Sequence, residues 1–250
     1  MKRGEVMMKI RIKKREERLM ALKTVGLIGG MSWESSILYY KIMNELVQRK
    51  LGGLNSAKTI TYSLNFEEIA ALQKAGRWKE AADVLIDTAR RLEKAGADII
   101  VICTNTMHKV AKEVEQAIEI PLLHIVDATA SQILASGFSK VGLLATKYTM
   151  EQEFYIERFR KLGIDVLIPS KEEREVVHQV IFEELCKGKV KPESRENYKK
   201  IINNLIQKGA QGIILGCTEI TLLVKCEDSE VPLFDTTYIH AEEAVRYALQ

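Results

Sequence analysis

"GADIIVICTNTMH", residues 96–108, joins a short apolar run to a cluster of small polar residues. The apolar run is continuous and rich in isoleucine and valine, which is typical of a strand buried on both faces of a parallel sheet. The polar cluster, 103–106, follows the run directly, and helical spacing over 107–118 comes after it. The stretch therefore predicts a buried strand, a polar turn and a helix.

A second stretch, "GAQGIILGCTEIT" at 209–221, repeats these features in the same order. The strand-like segments "VGLIGG" (25–30) and "VGLLAT" (141–146) form another matched pair. The members of the two pairs are separated by almost the same number of residues. This agreement predicts an internal duplication, with one strand–turn–helix site in each half.

Strand-like and helix-like segments alternate from Lys23 to the end of the chain. Such alternation predicts an α/β fold with parallel sheets flanked by helices. Together with the duplication, it predicts two similar domains related by a pseudo-twofold axis, with the active site in the cleft between them. We expect the first domain to comprise 23–120 plus 232–250, because the last helix should pack back on the first half. We expect the second domain to comprise 121–231.

The N-terminal segment, 1–22, is basic, with eight Lys/Arg and three Glu. It lacks the apolar core of a secretory signal. We expect it to be an N-terminal extension that is disordered or mobile and lies outside the fold.

The overall composition is that of a soluble globular protein, with 46% apolar and 28% charged residues. A net charge of +3 and an aromatic content of 6% do not favour nucleic-acid binding. No apolar run reaches the roughly 18 residues of a membrane span. The four cysteines lack metal-binding spacing, and we expect free thiols in a reducing cytoplasm. We therefore predict a cytoplasmic protein with no metal and with no nucleic-acid or membrane partner.

The two polar turns are expected to meet, because ligands in open α/β sheets bind at the carboxyl ends of the strands. Turns 103–106 and 216–219 would then approach one substrate from opposite sides. Alignment of the two repeats sets Cys217 against Thr104. Opposed acid/base groups on two faces of a carbon are what a stereoinversion without a cofactor requires. A thiol suits this role because its surroundings can tune its pKa.

Cys103 falls opposite Gly216 in the same alignment. Successive side chains of a strand point to opposite faces of the sheet. We therefore expect the Cys103 side chain to point into the core and away from the side on which Thr104 lies.

The segments "GLIGGMSWESS", "CTNTMHKV" and "GCTEI" resemble, in this order, motifs of the aspartate/glutamate racemase family. The resemblance extends from about Lys23 to the end of the chain. It implies two similar α/β domains, no pyridoxal phosphate or other cofactor, and a homodimer. Members of this family typically have one cysteine directly before "NT" and another in "GCT". This chain keeps the second, Cys217, and has Thr104 at the first, so the resemblance implies that these two residues are catalytic.

Other polar residues at the predicted strand ends could hold a substrate carboxylate or could only cap helices. The lysine and the histidine near the start of the helix after residue 170 enter through the resemblance alone, and the alternative is a solvated helix start. We predict that Cys186, His124 and His240 are structural. The predicted substrate-binding residues are Met31, Ser32, Asn65, Asn105, Thr106, Thr146, Lys147, Thr149, Lys171, His178, Thr218 and Glu219.

These observations predict a cofactor-independent racemase of a small acidic amino acid, aspartate or glutamate. By the resemblance, Cys217 takes the α-hydrogen of the L-enantiomer, and Thr104 or a water that it holds protonates the other face. A hydroxyl is a poor base, so the L-enantiomer should be the preferred substrate. Two alternatives remain open: a lyase similar to arylmalonate decarboxylase, which needs one cysteine, and a non-catalytic amino-acid-binding homologue.

Overall fold

Two four-stranded parallel sheets organise the computed structural model, which describes residues 22–250. Four strands come from each half of the chain. The strands are β1 (Val25–Gly29), β2 (Thr59–Ser63), β3 (Ile99–Ile102), β4 (Leu122–Leu123), β5 (Lys140–Ala145), β6 (Asp165–Leu167), β7 (Ile213–Gly216) and β8 (Leu233–Asp235).

The two sheets have the same topology. The first has the order β2-β1-β3-β4 and the second has the order β6-β5-β7-β8. Each pairing between the described strands is parallel. When strands are counted within each half, the two orders are identical, as a duplicated unit predicts. The predicted α/β fold with two similar halves is confirmed.

Helices connect consecutive strands in both halves, and three short 3₁₀ turns lie within these connections. The helix predicted over 107–118 is shorter than expected and begins as a 3₁₀ turn. The helices are α1 (Trp33–Leu51), α2 (Phe66–Lys74), α3 (Trp78–Lys94), α4 (Ala111–Glu115), α5 (Ile125–Ala135), α6 (Lys147–Glu151), α7 (Glu153–Lys161), α8 (Lys171–Glu183), α9 (Pro192–Gln207), α10 (Ile220–Leu223) and α11 (Thr236–Ala248), with 3₁₀ turns at Thr106–Val110, Leu185–Lys187 and Cys226–Asp228.

Side-chain caps fix where several helices begin. The Ser32 side chain caps α1, Asn65 caps α2, and Asp235 caps α11. Ser170 and Glu173 form a reciprocal capping box at the start of α8. Each cap satisfies backbone N–H groups that have no partner within the helix, so the polar residues after the strands hold the helix starts near the sheet ends.

Strand β3 distributes its side chains between two core clusters. Ile100 and Ile102 pack into one cluster, and Ile99, Val101 and Cys103 pack into the other. The side chain of Cys103 is fully buried, and burial raises the pKa of its thiol. The prediction that this cysteine points into the core is confirmed.

The strands at the junctions between the halves belong to different sheets. Strand β4 pairs with β3 in the first sheet, and β8 pairs with β7 in the second. The first sheet therefore extends to Leu123, three residues beyond the predicted limit at 120, and β8 at 233–235 lies in the second sheet. The predicted domain limits stay a prediction. Helix α11 packs against the core of the first half.

The N-terminal extension predicted for 1–22 lies outside the described residues except for its last residue. Leu22 is buried against the core of the first half, so it belongs to the fold, contrary to its assignment to the extension. No helix within residues 22–250 combines the length and the apolar character that crossing a membrane requires.

Gly30 lies directly after β1, where the chain passes close to the backbone of Leu64 at the end of β2. Its φ of 84° lies in the left-handed region, and a Cβ there would lie 2.1 Å from the carbonyl oxygen of Leu64. Only glycine tolerates both conditions without a shift of the backbone. This close approach places the next residues, Met31 and Ser32, beside the ends of the strands.

Three buried histidines form a cluster where the first sheet meets α5 and α11. The ring centroid of His108 lies 4.6 Å from that of His124 and 5.6 Å from that of His240. His240 accepts a hydrogen bond from the Tyr39 hydroxyl at Nδ1 (2.8 Å) and donates from Nε2 to the carbonyl oxygen of Leu123 (3.0 Å). This pattern describes a neutral ring, and it ties α1, β4 and α11 together.

Burial holds the histidines of this cluster neutral. It lowers the pKa of His108 to about 4 and that of His240 to about 3. The pKa of His124 is also lowered, by burial and by the two neighbouring histidines. In the unfolded chain these rings would take up protons at a higher pH than in the folded protein.

We predict that the free energy of unfolding falls as the pH is lowered from about 7 to about 5. Below an unfolded-state pKa of about 6.5, the unfolded chain binds protons that the folded cluster does not bind. Each histidine contributes up to about 1.4 kcal/mol per pH unit in this window. Urea unfolding at several pH values measures the slope.

The matched variant is His124→Asn, because asparagine keeps the helix cap and does not titrate. It should reduce the slope, whatever its effect on stability at neutral pH. His178→Gln, which replaces a half-buried histidine outside the cluster, should change the slope less. An unchanged slope in His124→Asn would contradict the assignment of the pH dependence to the buried histidine cluster.

Candidate active site

A cleft lies between the two halves at the carboxyl ends of the strands. Residues of both predicted polar turns line it. The lining residues are Met31, Phe66, Gln73, Thr104, Asn105, Thr106, Thr146, Ile181, Phe182, Cys186, Gly216, Cys217, Thr218 and Glu219. The cleft therefore contains eight of the fourteen predicted site residues.

Cys217 follows β7 directly and is buried in the wall of the cleft. Its Sγ donates a hydrogen bond to Oε2 of Glu219 at 3.0 Å. The other carboxylate oxygen of Glu219 accepts a hydrogen bond from the Ser32 hydroxyl at 2.7 Å. The thiol therefore faces a proton acceptor that is itself fixed by a residue of the first half.

The surroundings of Cys217 favour the protonated thiol. Burial raises its pKa well above the ordinary value, and the negative charge of Glu219 raises it further. A smaller rise comes from Cys186, and a hydrogen bond from the Glu219 backbone N–H acts in the opposite direction. The thiolate forms at this position only if a cation lies nearby or if the thiol proton passes to the carboxylate.

Thr104 follows β3 and lines the cleft from the first half. Its hydroxyl makes no hydrogen bond to another residue among 22–250, so it is available to a ligand. Its carbonyl oxygen accepts a hydrogen bond from Nδ1 of His108 at 2.8 Å, and Nε2 of that ring accepts one from the Ile125 N–H at 3.2 Å. His108 thereby fixes the turn that presents Thr104.

Asn105 is clamped by residues of the second half. Its Oδ1 accepts a hydrogen bond from the Tyr155 hydroxyl at 2.7 Å, and its Nδ2 donates to Oγ1 of Thr236 at 3.0 Å. Thr236 in turn donates to the carbonyl oxygen of Leu215 at 2.9 Å. Both polar groups of the Asn105 side chain are therefore occupied, and they position the first turn relative to β7.

Thr218 joins a chain of hydroxyls that crosses between the halves. The Ser35 hydroxyl donates to the carbonyl oxygen of Cys103 at 2.7 Å and lies 2.9 Å from the Thr218 hydroxyl. The Thr237 hydroxyl donates to Thr218 at 3.2 Å. The two turns therefore share one buried hydrogen-bond network.

Three threonine hydroxyls form a triangle on another side of the cleft. Thr106 lies 3.1 Å from Thr146 and 3.3 Å from Thr149, and the last two are 3.2 Å apart. Thr106 comes from the first half and the other two from the second. Rotating hydroxyls of this kind can donate or accept, so the triangle can adapt to an anionic group.

Six predicted residues are not in the cleft lining. Ser32 and Thr149 form hydrogen bonds to the lining residues Glu219 and Thr106, whereas the other four make contacts elsewhere. Asn65 is exposed and caps α2. Lys147 forms a 2.8 Å ion pair with Glu175, and its backbone N–H donates to Nδ1 of His178. Lys171 is exposed at the first position of α8. A role of these side chains in substrate binding stays a prediction.

Five further lining residues were not predicted: Phe66, Gln73, Ile181, Phe182 and Cys186. They come from α2, α8 and the turn after α8, which carry no motif of their own. Cys186, predicted to be structural, opens on the cleft, and burial raises the pKa of its thiol to about 12. The only sequence signal was the position of Phe66, three residues after the end of β2.

Comparisons with known proteins identify the family that this chain resembles. The model of the Asp/Glu/hydantoin racemase family matches residues 28–244. A solved structure from Yersinia pestis, provisionally assigned to the Asp/Glu racemases, is 55% identical; the match covers 91% of this chain and 100% of that one, with a TM-score of 0.87. An aspartate racemase homologue from Pyrococcus horikoshii OT3 is 37% identical, with the same coverage of 91% and 100% and a TM-score of 0.81.

A curated relative broadens the comparison. The broad-specificity amino-acid racemase RacX of Bacillus subtilis (strain 168) is 28% identical over 169 residues, which are 66% of this chain and 71% of the relative. These relatives are described with different substrate ranges, aspartate for one and a broad range of amino acids for another.

We predict that Glu219→Gln lowers the pKa of the Cys217 thiol. The amide keeps an oxygen that can accept the thiol hydrogen bond but removes the negative charge that raises the pKa. Alkylation of Cys217 by iodoacetamide, followed peptide by peptide in a mass spectrometer over a range of pH, measures this pKa. The Ser32→Ala variant keeps the charge and is the control. A pKa that is unchanged or raised in Glu219→Gln would contradict the electrostatic assignment.

Proposed function

We propose that this chain, which belongs to the Asp/Glu/hydantoin racemase family, inverts the configuration at the α-carbon of an amino acid with Cys217 as an acid/base group. The observation that carries the proposal is the cleft-lining thiol of Cys217, 3.0 Å from the carboxylate of Glu219. Thr104 lines the same cleft from the other half. The reaction needs no pyridoxal phosphate or metal in this proposal.

The thiol proton passes to Glu219 as the substrate binds. The resulting thiolate of Cys217 then takes the α-hydrogen of the L-amino acid as a proton, which leaves a carbanion. The substrate's α-ammonium group brings a positive charge into the buried site and favours the thiolate. Thr104, or a water that it holds, delivers a proton to the other face and completes the inversion. The proton held by Glu219 is then returned through solvent to the deprotonated donor as the product leaves, which restores the starting state.

The difficult step is removal of the α-hydrogen, because an amino acid is a far weaker carbon acid than a thiol. The site must therefore stabilise the carbanion, whose charge spreads onto the substrate carboxylate. Hydroxyls and backbone N–H groups at the two turns, together with the triangle of Thr106, Thr146 and Thr149, are the groups proposed to bind that carboxylate. Their burial excludes water and strengthens each interaction.

Aspartate and glutamate are the substrates predicted from the sequence resemblance. A relative described as an aspartate racemase homologue supports them, and one described as a broad-specificity amino-acid racemase supports a wider range. The L-enantiomer should react faster, because Cys217 is a better base than the hydroxyl of Thr104. The equilibrium between free enantiomers does not change.

The homodimer and the cytoplasmic location also stay proposals. An apolar stripe on α1 supports the dimer: Trp33, Ile37 and Tyr40 lie on one helix face and are 61%, 53% and 56% exposed. Tyr40 also borders a shallow groove with the fully exposed Leu54. A second copy of the chain is the occupant that we propose for this face.

We predict that Cys217→Ala lowers α-hydrogen exchange of L-amino acids in deuterium oxide by at least about 100-fold, because the acid/base group is lost. Proton NMR follows the decay of the α-proton signal. Cys103→Ala is the matched control, since it removes a core thiol by the same chemical change and should keep most of the exchange.

The same experiment separates the alternatives. Exchange that persists in Cys217→Ala would refute the proposed role of the thiol. Release of carbon dioxide from an arylmalonate without amino-acid exchange would favour the lyase. Binding of amino acids without exchange in the wild type would favour the non-catalytic homologue.

We predict that Tyr40→Glu shifts the protein from dimer to monomer, because a buried charge opposes association at an apolar interface. Sedimentation velocity at micromolar concentration measures the change. Lys112→Glu, on the exposed surface of α4, changes charge elsewhere and should leave the dimer intact. A monomeric wild type, or a dimeric Tyr40→Glu variant, would exclude this interface.

A further inference from the structure

The cleft has two chemically different walls. One consists of the polar turns with Thr104, Thr106, Cys217 and Glu219. Six other lining side chains, called the uncharged wall below, carry no charge: Met31, Phe66, Ile181, Phe182, Gln73 and Cys186. The polar wall suits the α-carboxylate and α-ammonium groups that every amino acid shares. The uncharged wall is therefore the part of the cleft that can contact the side chain of the substrate.

No lysine, arginine or histidine is among the described residues that line the cleft. Glu219 is the only lining carboxylate in that set, and it is committed to Cys217 and Ser32. A second carboxylate on the substrate would thus enter a buried wall without a cation and would meet a negative charge. Burial of an unpaired carboxylate is strongly unfavourable.

The cations on neighbouring elements have other partners. Lys187, which directly follows the lining residue Cys186, pairs with Glu183. Lys147 pairs with Glu175 at 2.8 Å, and Arg174 pairs with Glu151 at 2.9 Å. Lys109 donates to the Gln152 side chain at 2.6 Å and lies 4.0 Å from the centroid of the Trp78 ring. Redirecting any of these cations to a substrate would break an existing contact.

Lys171 lies too far along its helix. It begins α8, whereas the lining residues Ile181 and Phe182 lie near the other end. At a rise of about 1.5 Å per residue, the intervening turns separate them by roughly 15 Å along the helix axis. The Lys171 side chain therefore does not supply a positive charge to this wall.

Gln73 is the one polar amide among the side chains of the uncharged wall. Gln73 lies against Met107, and its Nε2 is 3.1 Å from the methionine sulfur. Its amide can accept or donate a hydrogen bond without a charge. The ring of Phe182 packs against His178, with 4.8 Å between centroids, which fixes one side of the wall.

From this wall we propose that the preferred substrates are amino acids with uncharged, mainly apolar side chains, such as leucine and methionine, rather than aspartate or glutamate. This inference rests on the proposed racemase function, because it assigns the side-chain subsite of the same cleft. It replaces the acidic specificity that the sequence resemblance implies with one set by Phe66, Ile181 and Phe182.

Substrates of nearly equal shape test the inference, because they differ mainly in charge and polarity. The wild type is incubated in deuterium oxide with L-leucine, L-asparagine and L-aspartate, and with L-methionine, L-glutamine and L-glutamate. We expect exchange of the α-proton to be slower by about tenfold or more for each acid than for its neutral isosteres. Exchange of aspartate and glutamate at rates equal to or above those of the isosteres would overturn the inference and leave the racemase proposal intact.

A variant of the wall provides the second test. Phe182→Lys places a cation on the half-buried helix face and should shift the aspartate-to-asparagine exchange ratio towards aspartate by about tenfold. Phe182→Met keeps a long uncharged side chain and should keep the wild-type ratio. Equal ratios in the two folded variants, checked by circular dichroism, would contradict the assignment of this wall to the substrate side chain.

Binding separates this inference from the proposed catalysis. The Cys217→Ala variant is heated with each amino acid, and the ligand-induced rise in Tm is recorded. Larger shifts with leucine and methionine than with the acids support the inference even if the wild type shows no exchange, a result that would sink only the racemase proposal. Larger shifts with the acids, or no shift with any of the six, would overturn it.

Discussion

The hydrogen bonds that join the two polar turns across the halves are the interaction on which the rest of the site depends. Ser35 links the carbonyl of Cys103 to Thr218, and Tyr155 holds Asn105 from the other side. Each of these groups is buried, and leaving one unsatisfied costs about 1–3 kcal/mol. The halves therefore cannot separate at this point without losing several such bonds. These bonds hold the two halves in one relative position and so fix the geometry of the cleft.

The contact between Cys217 and Glu219 has two consequences that oppose each other. The buried carboxylate raises the pKa of the thiol, which disfavours the thiolate when the cleft holds no cation. The same carboxylate lies 3.0 Å from the sulfur and can receive its proton. An amino acid brings the missing positive charge with its ammonium group. The thiolate would then form when an amino acid is bound, which limits unwanted reactions of the thiol.

The parts of the site that follow from strand geometry could be predicted from the sequence. The repeat predicted two sheets of equal topology, and the alternation of strand side chains predicted that Cys103 is buried while Thr104 faces the cleft. The contact of Glu219 with the thiol was not predicted. In the sequence, a glutamate that caps a helix cannot be told from a glutamate that accepts a hydrogen bond from a thiol. Phe66 and Phe182 were missed because helix packing, not a motif, brings them to the cleft.

In the proposed reaction, the substrate α-carbon lies between Cys217 and Thr104. A crystal structure of the Cys217→Ala variant with a bound L-amino acid tests it most directly. We expect the α-hydrogen to point at the β-carbon of residue 217 and the hydroxyl of Thr104 to lie on the opposite face of the α-carbon. An amino acid bound outside the cleft, or with both residues on the same face, would contradict it.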